Sequence, residues 1–421
     1  MVKNNAMNKS HWSWIPSLYF AEGIPYVIVM NIALVLYNNL GMSNAEVAFY
    51  TSWLYLPWVI KPLWSPIVDI YHKKRWWILS MQLLVAVSLA GVALTLNVSN
   101  YVFWTLAFFW VMAFSSATHD IAADGFYLLA LNEQEQSFYV GIRSTFYRIS
   151  TIFAQGGLLL LVGFIQSYFA LDATSSWQAT FVFASLLFVG LYLYHHKSLP
   201  KPSADQTVLL KASSALEGFL KTFVSFFQKP QILVGLAFLL LYRLPEALLV
   251  KICPLFFLAP VNEGGLGMDK GELGTIQGAV GVVGLLLGGI LGGLAVSKSS
   301  FKKWLWPMVI AISLPDVVYI LLAYYQPSNL LLIALGVFVE QLGYGFGFTA
   351  YMLYMMHLAR GNQQTAHYAI CTGFMALSMM LPGFFAGWLQ EILGYVGFFT
   401  LATALTALTF LAGYLIRKHI N

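Results

Sequence analysis

Apolar runs of around 20 residues recur along this chain from Trp14 to its end, and that recurrence decides most of what it can fold into. At a rise of 1.5 Å per residue, ~20 residues cross a ~30 Å hydrocarbon core. Inside such a core every backbone polar group needs a partner within the chain, which leaves helices as the natural spanning element. Twelve spans are predicted, near 14–36, 47–68, 76–96, 102–128, 139–165, 178–195, 230–259, 271–296, 306–325, 329–357, 366–390 and 395–416. Only 9% of the 421 residues are charged and 59% are hydrophobic, whereas a soluble domain carries ~25% charged residues. The expected fold class is therefore an all-α integral membrane protein.

The first apolar run follows Lys3 and Lys9 with no small-residue cleavage site after it, so it reads as a retained helix. Cys253 and Cys371 both lie inside spans and read as packing residues, with neither a disulfide framework nor a metal site expected. The net charge of +5 arises largely from loops: Lys73, Lys74 and Arg75, then Lys197 to Lys229, then Lys298, Lys302, Lys303 and Arg360. These alternate with loops poor in Lys and Arg, the positive-inside pattern, and put both termini in the cytoplasm. The charge thus gives an orientation, and no nucleic-acid partner is expected.

The longest polar stretch, 196–229, divides the chain into an N-terminal half at 1–195 and a C-terminal half at 230–421. Leu216, Phe219, Leu220, Phe223 and Phe227 recur there at helical spacing, as in an interfacial helix or an ordered linker. Each half has a short basic loop between its second and third spans, Ser65–Arg75 in one and Gly292–Lys303 in the other. Two such six-helix halves are the plan of the major facilitator superfamily, whose site lies between the repeats near mid-membrane.

A charge at the bilayer centre costs on the order of 3 kcal/mol, so an ionisable residue inside a span is a functional candidate. The candidates are Glu22, Lys61, Asp120, Asp124, Arg143 and Arg148 in the first half, and Arg243, Glu246, Lys251, Asp316 and Glu340 in the second. Asp120 and Asp124, four apart, share a helix face at depths of ~12 and ~6 Å. Arg143 and Arg148 rise to ~6 and ~14 Å on the next span. Matching depth suggests Asp120 with Arg148 and Asp124 with Arg143; the two arginines are roughly 140° apart around the helix, and the deeper pair is the favoured one. Pro25 and Pro245 mark breaks beside Glu22 and Glu246. Trp58, Tyr344 and Tyr351 share helices with Lys61 or Glu340, where aromatic planes beside hydrogen-bonding groups suit a sugar as well as simple packing.

Several segments together resemble the AmpG-type muropeptide permeases of that superfamily. They are F-A-E-G-I-P at Phe20–Pro25, K-P-L-W-S-P-I-V-D at Lys61–Asp69, S-S-A-T-H-D-I-A-A-D at Ser115–Asp124 and Y-R at Tyr147–Arg148. Y-R-L-P-E at Tyr242–Glu246, V-E-Q-L-G-Y-G-F-G at Val339–Gly347 and P-G-F-F-A-G-W at Pro382–Trp388 continue the likeness. The resemblance implies a monomeric, proton-coupled transporter of the bacterial inner membrane. It implies import of cell-wall fragments, N-acetylglucosaminyl-anhydro-N-acetylmuramic acid with or without peptide, for peptidoglycan recycling. Lys61, Arg148, Arg243, Trp58, Tyr344 and Tyr351 are then the expected substrate-binding residues. Asp120, Asp124, Glu22, Glu246 and Glu340 are expected to couple to protons, and Asp69, Lys73, Lys74 and Arg75 to gate. The sequence departs from the family after Asp124, where Gly125–Leu129 replace its aromatic, basic and acidic residues, and at Glu22 and Arg143. Those departures leave another amino-sugar or oligosaccharide as the alternative substrate. No zinc-protease, serine-elbow or nucleotide-loop motif occurs, so neither an enzyme nor a cofactor is expected.

Overall fold

A computed structural model describes residues 9–203, 205, 212–360 and 364–420, and everything regular in it is helical. Helix α1 runs through Lys9–Val27, a widened turn at Ile28–Ile32, and Ala33–Asn39. Helix α2 comprises Asn44–Trp53 and Leu56–Ile70, interrupted where Pro57 withholds a backbone donor. Then come α3 (Lys74–Thr95), α4 (Tyr101–Ala130), α5 (Glu133–Thr151 continuing through Ile152–Gly157 and Leu158–Tyr168) and α6 (Ala173–Ser198). Helix α7 (Ala212–Phe227) lies in the polar stretch between the halves. Helix α8 (Ile232–Leu241 and Leu244–Leu258) breaks at Tyr242–Arg243, just before Pro245. The second half continues with α9 (Lys270–Leu273, Gly274–Gly281 and Val282–Lys298), α10 (Phe301–Ser313, a tight turn at Leu314–Asp316, and Val317–Tyr325) and α11 (Leu330–Ala359). The final stretch, Gln364–Arg417, divides at Gly394 (φ +64°) into α12 and α13.

Ten helical segments are long and apolar enough to cross a membrane; the interrupted α2 adds one and the division at Gly394 another, giving twelve crossings among the described residues. Several starts are written into the sequence as reciprocal caps: Ser43 with Glu46, Asn132 with Glu135, and Asp269 with Glu272. Leu94, Leu233 and Leu331 are each at least three-quarters exposed, as lipid-facing side chains are. In α7, Phe226 is buried against Phe374, and Ser225 Oγ lies 2.9 Å from His367 Nε2, while Leu220 and Val224 are exposed.

The two halves meet on the face opposite the termini. Asn44 Nδ2 donates to Gln390 Oε1 at 2.6 Å, and Glu391 Oε1 accepts from the backbone of Ala45. Lys270 Nζ donates to Gln166 Oε1. Where α5 crosses α9 the backbones touch: a Cβ on Gly278 would stand 2.5 Å from the Cα of Gly156. Small residues let helices approach this closely. Lys251 of α8 reaches across to donate to Thr51 Oγ1 at 2.8 Å, its ammonium 5.2 Å from the Tyr55 ring centroid.

Candidate functional site

Between the halves lies a cavity of about 570 Å³. Each wall is one face of a helix. Tyr19, Glu22 and Tyr26 come from α1 at i, i+3 and i+7, and Tyr55, Trp58 and Lys61 follow every third residue of α2. Asp120 and Asp124 project from α4, and Arg143, Tyr147 and Arg148 from α5. The second half supplies Arg243, Tyr344 and Phe348, with Met352, Met375 and Met379 as an apolar wall. Solvent reaches the cavity from the face carrying the termini, where the Asp124 and Arg143 side chains are 45% and 28% exposed.

The charges are arranged unequally. Lys61 Nζ donates to Asp120 Oδ2, and Arg143 pairs with Asp124 at 2.7 Å. The favoured pairing of Asp120 with Arg148 does not form, because α2 brings Lys61 to Asp120 at the same depth; the shallower pair of Asp124 with Arg143 does form. Tyr19 donates its hydroxyl to Asp124 Oδ1 at 3.3 Å, and the Arg143 guanidinium sits 4.5 Å from the Tyr19 ring centroid and 5.1 Å from that of Tyr127. Glu22 lies near enough to Asp120 for their carboxyls to interact directly, and its Oε2 is buried without a hydrogen-bond partner.

Arg148 forms no ion pair among the described residues, and neither does Arg243. Arg243 is 8% exposed, donates to the Tyr344 hydroxyl and lies 4.7 Å from the Phe348 centroid and 5.5 Å from that of Tyr351. Its Nε has no partner. Aromatic faces stabilise a buried cation by about 2 kcal/mol without neutralising it, so the charge remains available to a ligand. The break before Pro245 turns this residue into the cavity.

Other expected site residues lie elsewhere. Tyr351 is fully buried behind the cavity wall, donating to the Leu239 carbonyl at 2.8 Å. Glu246, Asp316 and Glu340 are buried within the second half and do not line the cavity; Glu340 accepts from Tyr319 at 2.8 Å and Gln341 at 2.9 Å. Lys73 is exposed, the backbone amides of Lys74 and Arg75 donate to Asp205, and the Asp69 side chain lies outside the described residues. Tyr19 and Tyr26 were missed by sequence reasoning, although their spacing from Glu22 puts all three on one face.

A transmembrane bundle of two six-helix halves around a polar central cavity defines a membrane transport protein for a small molecule. The chain belongs to the Major Facilitator Superfamily, whose pattern matches residues 17–370. Its relatives include a Rickettsia felis chain named transporter AmpG 4, 26% identical with 95% of each chain covered. The anhydromuropeptide permease of Escherichia coli K12 is 25% identical, covering 92% of this chain and 76% of that one. Among solved structures, a bacterial homologue of the human lysosomal transporter Spinster has a TM-score of 0.70 at 15% identity, covering 99% of this chain and 97% of that one. A D-xylose–proton symporter also scores 0.70, at 13% identity, with 98% and 97% covered. The AmpG-type resemblance read from the motifs is thus matched by the names of the relatives.

Proposed function

We propose that this chain is a proton-coupled importer of muropeptides, carrying N-acetylglucosaminyl-anhydro-N-acetylmuramic acid, with or without peptide, from periplasm to cytoplasm by alternating access. The observation that carries the proposal is the pair of uncompensated arginines, Arg148 from one half and Arg243 from the other, facing one cavity. A guanidinium matches a carboxylate in a planar fork, and a lactyl or peptide carboxylate is the anionic group of such a substrate. Trp58, set edge-on to Tyr26 at 5.1 Å, and Tyr344 offer ring planes to the sugar, with the Trp58 indole N–H and the Tyr344 hydroxyl as polar groups. The name of the Escherichia coli relative supports the same substrate class.

Glu22, Asp120 and Asp124 form the group in which a driving proton is held, because adjacent carboxyls share a proton more readily than they hold full charges together. Glu246 and Glu340 serve as carriers only in a state that opens the second half to water. The basic residues gathered at the terminal face support cytoplasmic termini in a bacterial inner membrane, so the conformation described is the one open to the cytoplasm. Residues 196–229 act as the linker between rocking halves of a monomer. The loop from Asp69 to Arg75 latches the cytoplasmic mouth in the opposite state.

Calorimetric titration tests the substrate class. A carboxylate-bearing anhydromuropeptide binds more tightly than its amidated form, and chitobiose binds most weakly. Tighter binding of chitobiose would favour a neutral oligosaccharide instead, and no binding of any muropeptide would refute the proposal.

A further inference from the structure

A second cavity, of about 640 Å³, lies outside the central cavity, between the start of α3, the end of α6 and residues Lys201, Pro202, Ser203 and Asp205. Because α3 starts and α6 ends at the terminal face, its mouth is at that membrane surface. Three cations stand around the mouth: Lys73 and Lys201 are exposed, and Arg75 is half-buried. Arg75 donates from Nε to the Leu199 carbonyl at 3.3 Å and from its terminal nitrogen to the His196 carbonyl at 2.5 Å. Those acceptors are neutral and leave the positive charge in place. The carboxylate in the lining, Asp205, is buried, and its oxygens accept from the Lys74 and Arg75 amides at 2.7 and 3.1 Å. Asp205 thereby caps α3 and forms no ion pair with the three cations among the described residues.

Away from the mouth the wall changes character. Trp76, Ser80 and Leu83 follow at i, i+4 and i+7 down one face of α3, with Leu79 beside them and Tyr192 opposite on α6. Seven residues of helix carry the wall ~10 Å into the hydrocarbon. Trp76 and Leu83 are 45% and 43% exposed, so this wall opens toward lipid.

We infer that this cavity is a binding site for one anionic glycerophospholipid, its phosphate among Lys73, Arg75 and Lys201 and an acyl chain along Trp76, Leu79 and Leu83. Charge complementarity selects the head, and the apolar wall selects a lipid over a soluble anion. Lipid bound there bridges α3, α6 and the residues around Lys201 and Ser203. This site shares no lining residue with the central cavity.

Native mass spectrometry of the purified protein, titrated with phosphatidylglycerol, phosphatidylcholine of the same chains and glycerol 3-phosphate, tests the inference. Phosphatidylglycerol is retained in preference to the other two. Lys201→Gln weakens its retention about fivefold, as expected for one basic residue near an anionic headgroup. Lys302→Gln, an exposed lysine on the same face of the other half, leaves it unchanged. Leu83→Gln, at an exposed position, weakens phosphatidylglycerol independently of charge. Equal retention of the two lipids, equal losses in Lys201→Gln and Lys302→Gln, no loss in Leu83→Gln, or comparable binding of glycerol 3-phosphate would each overturn it.

Discussion

Arg148 and Arg243 differ from the other two cations of the central cavity in lacking an acid, and the substrate proposal rests on that difference. Replacing Arg148 by Lys keeps the charge and loses the fork, which removes charge-assisted hydrogen bonding of about 1.5–3 kcal/mol. Uptake of a carboxylate-bearing muropeptide is expected to weaken roughly ten- to hundredfold, with little change for its amidated analogue. Equal losses for both at normal expression would make Arg148 a structural residue. Lys61 and Asp120 behave differently because each already has its partner. Asp120→Asn lowers the melting temperature by leaving Lys61 uncompensated. Exchanging the two residues restores folding without transport, as thermal unfolding and uptake assays on the three variants will show. Recovery of transport in the exchanged protein would assign the pair a structural role alone.

At the scale of elements, helix positions were legible because apolar run length and flanking caps act locally, and the predicted span at 102–128 lies inside α4 at Tyr101–Ala130. Depth along a helix was legible for the same reason. What depth does not give is direction around the axis: Lys61 on α2 and Arg148 on α5 both reach the level of Asp120, and only the packing of three helices decides between them. The interruption of α2 at Leu54–Tyr55 was likewise unforeseen, although Pro57 follows it. Glu340 read as a site residue because it is an ionisable group inside a span, and Tyr351 because it shares that helix. Both are instead buried against their own half, Glu340 on Tyr319 and Tyr351 on the Leu239 carbonyl, and neither lines the cavity. The crossing of α5 and α9 supports a further prediction. Any side chain at Gly278 meets the backbone of Gly156, so Gly278→Val forces the two helices apart on the face opposite the termini. Spin-label distances between α5 and α9 on that face are expected to lengthen; unchanged distances in a folded variant would contradict the crossing.

At the scale of the whole molecule, contacts between the halves close one face while the cavity reaches solvent from the other. Alternating access requires these conditions to exchange. Distances across the two mouths therefore change in opposite senses when substrate is added, measured by paired spin labels; parallel changes would exclude rocking of the halves. The central claim joins this motion to a proton and an anionic amino sugar, and uptake into proteoliposomes tests all three together. With labelled anhydromuropeptide at equal concentration on both sides and an inward proton gradient, the account predicts accumulation above the external concentration, abolished by a protonophore. Accumulation that persists after the proton gradient is collapsed, or none under a full gradient in vesicles that hold folded protein, would contradict it.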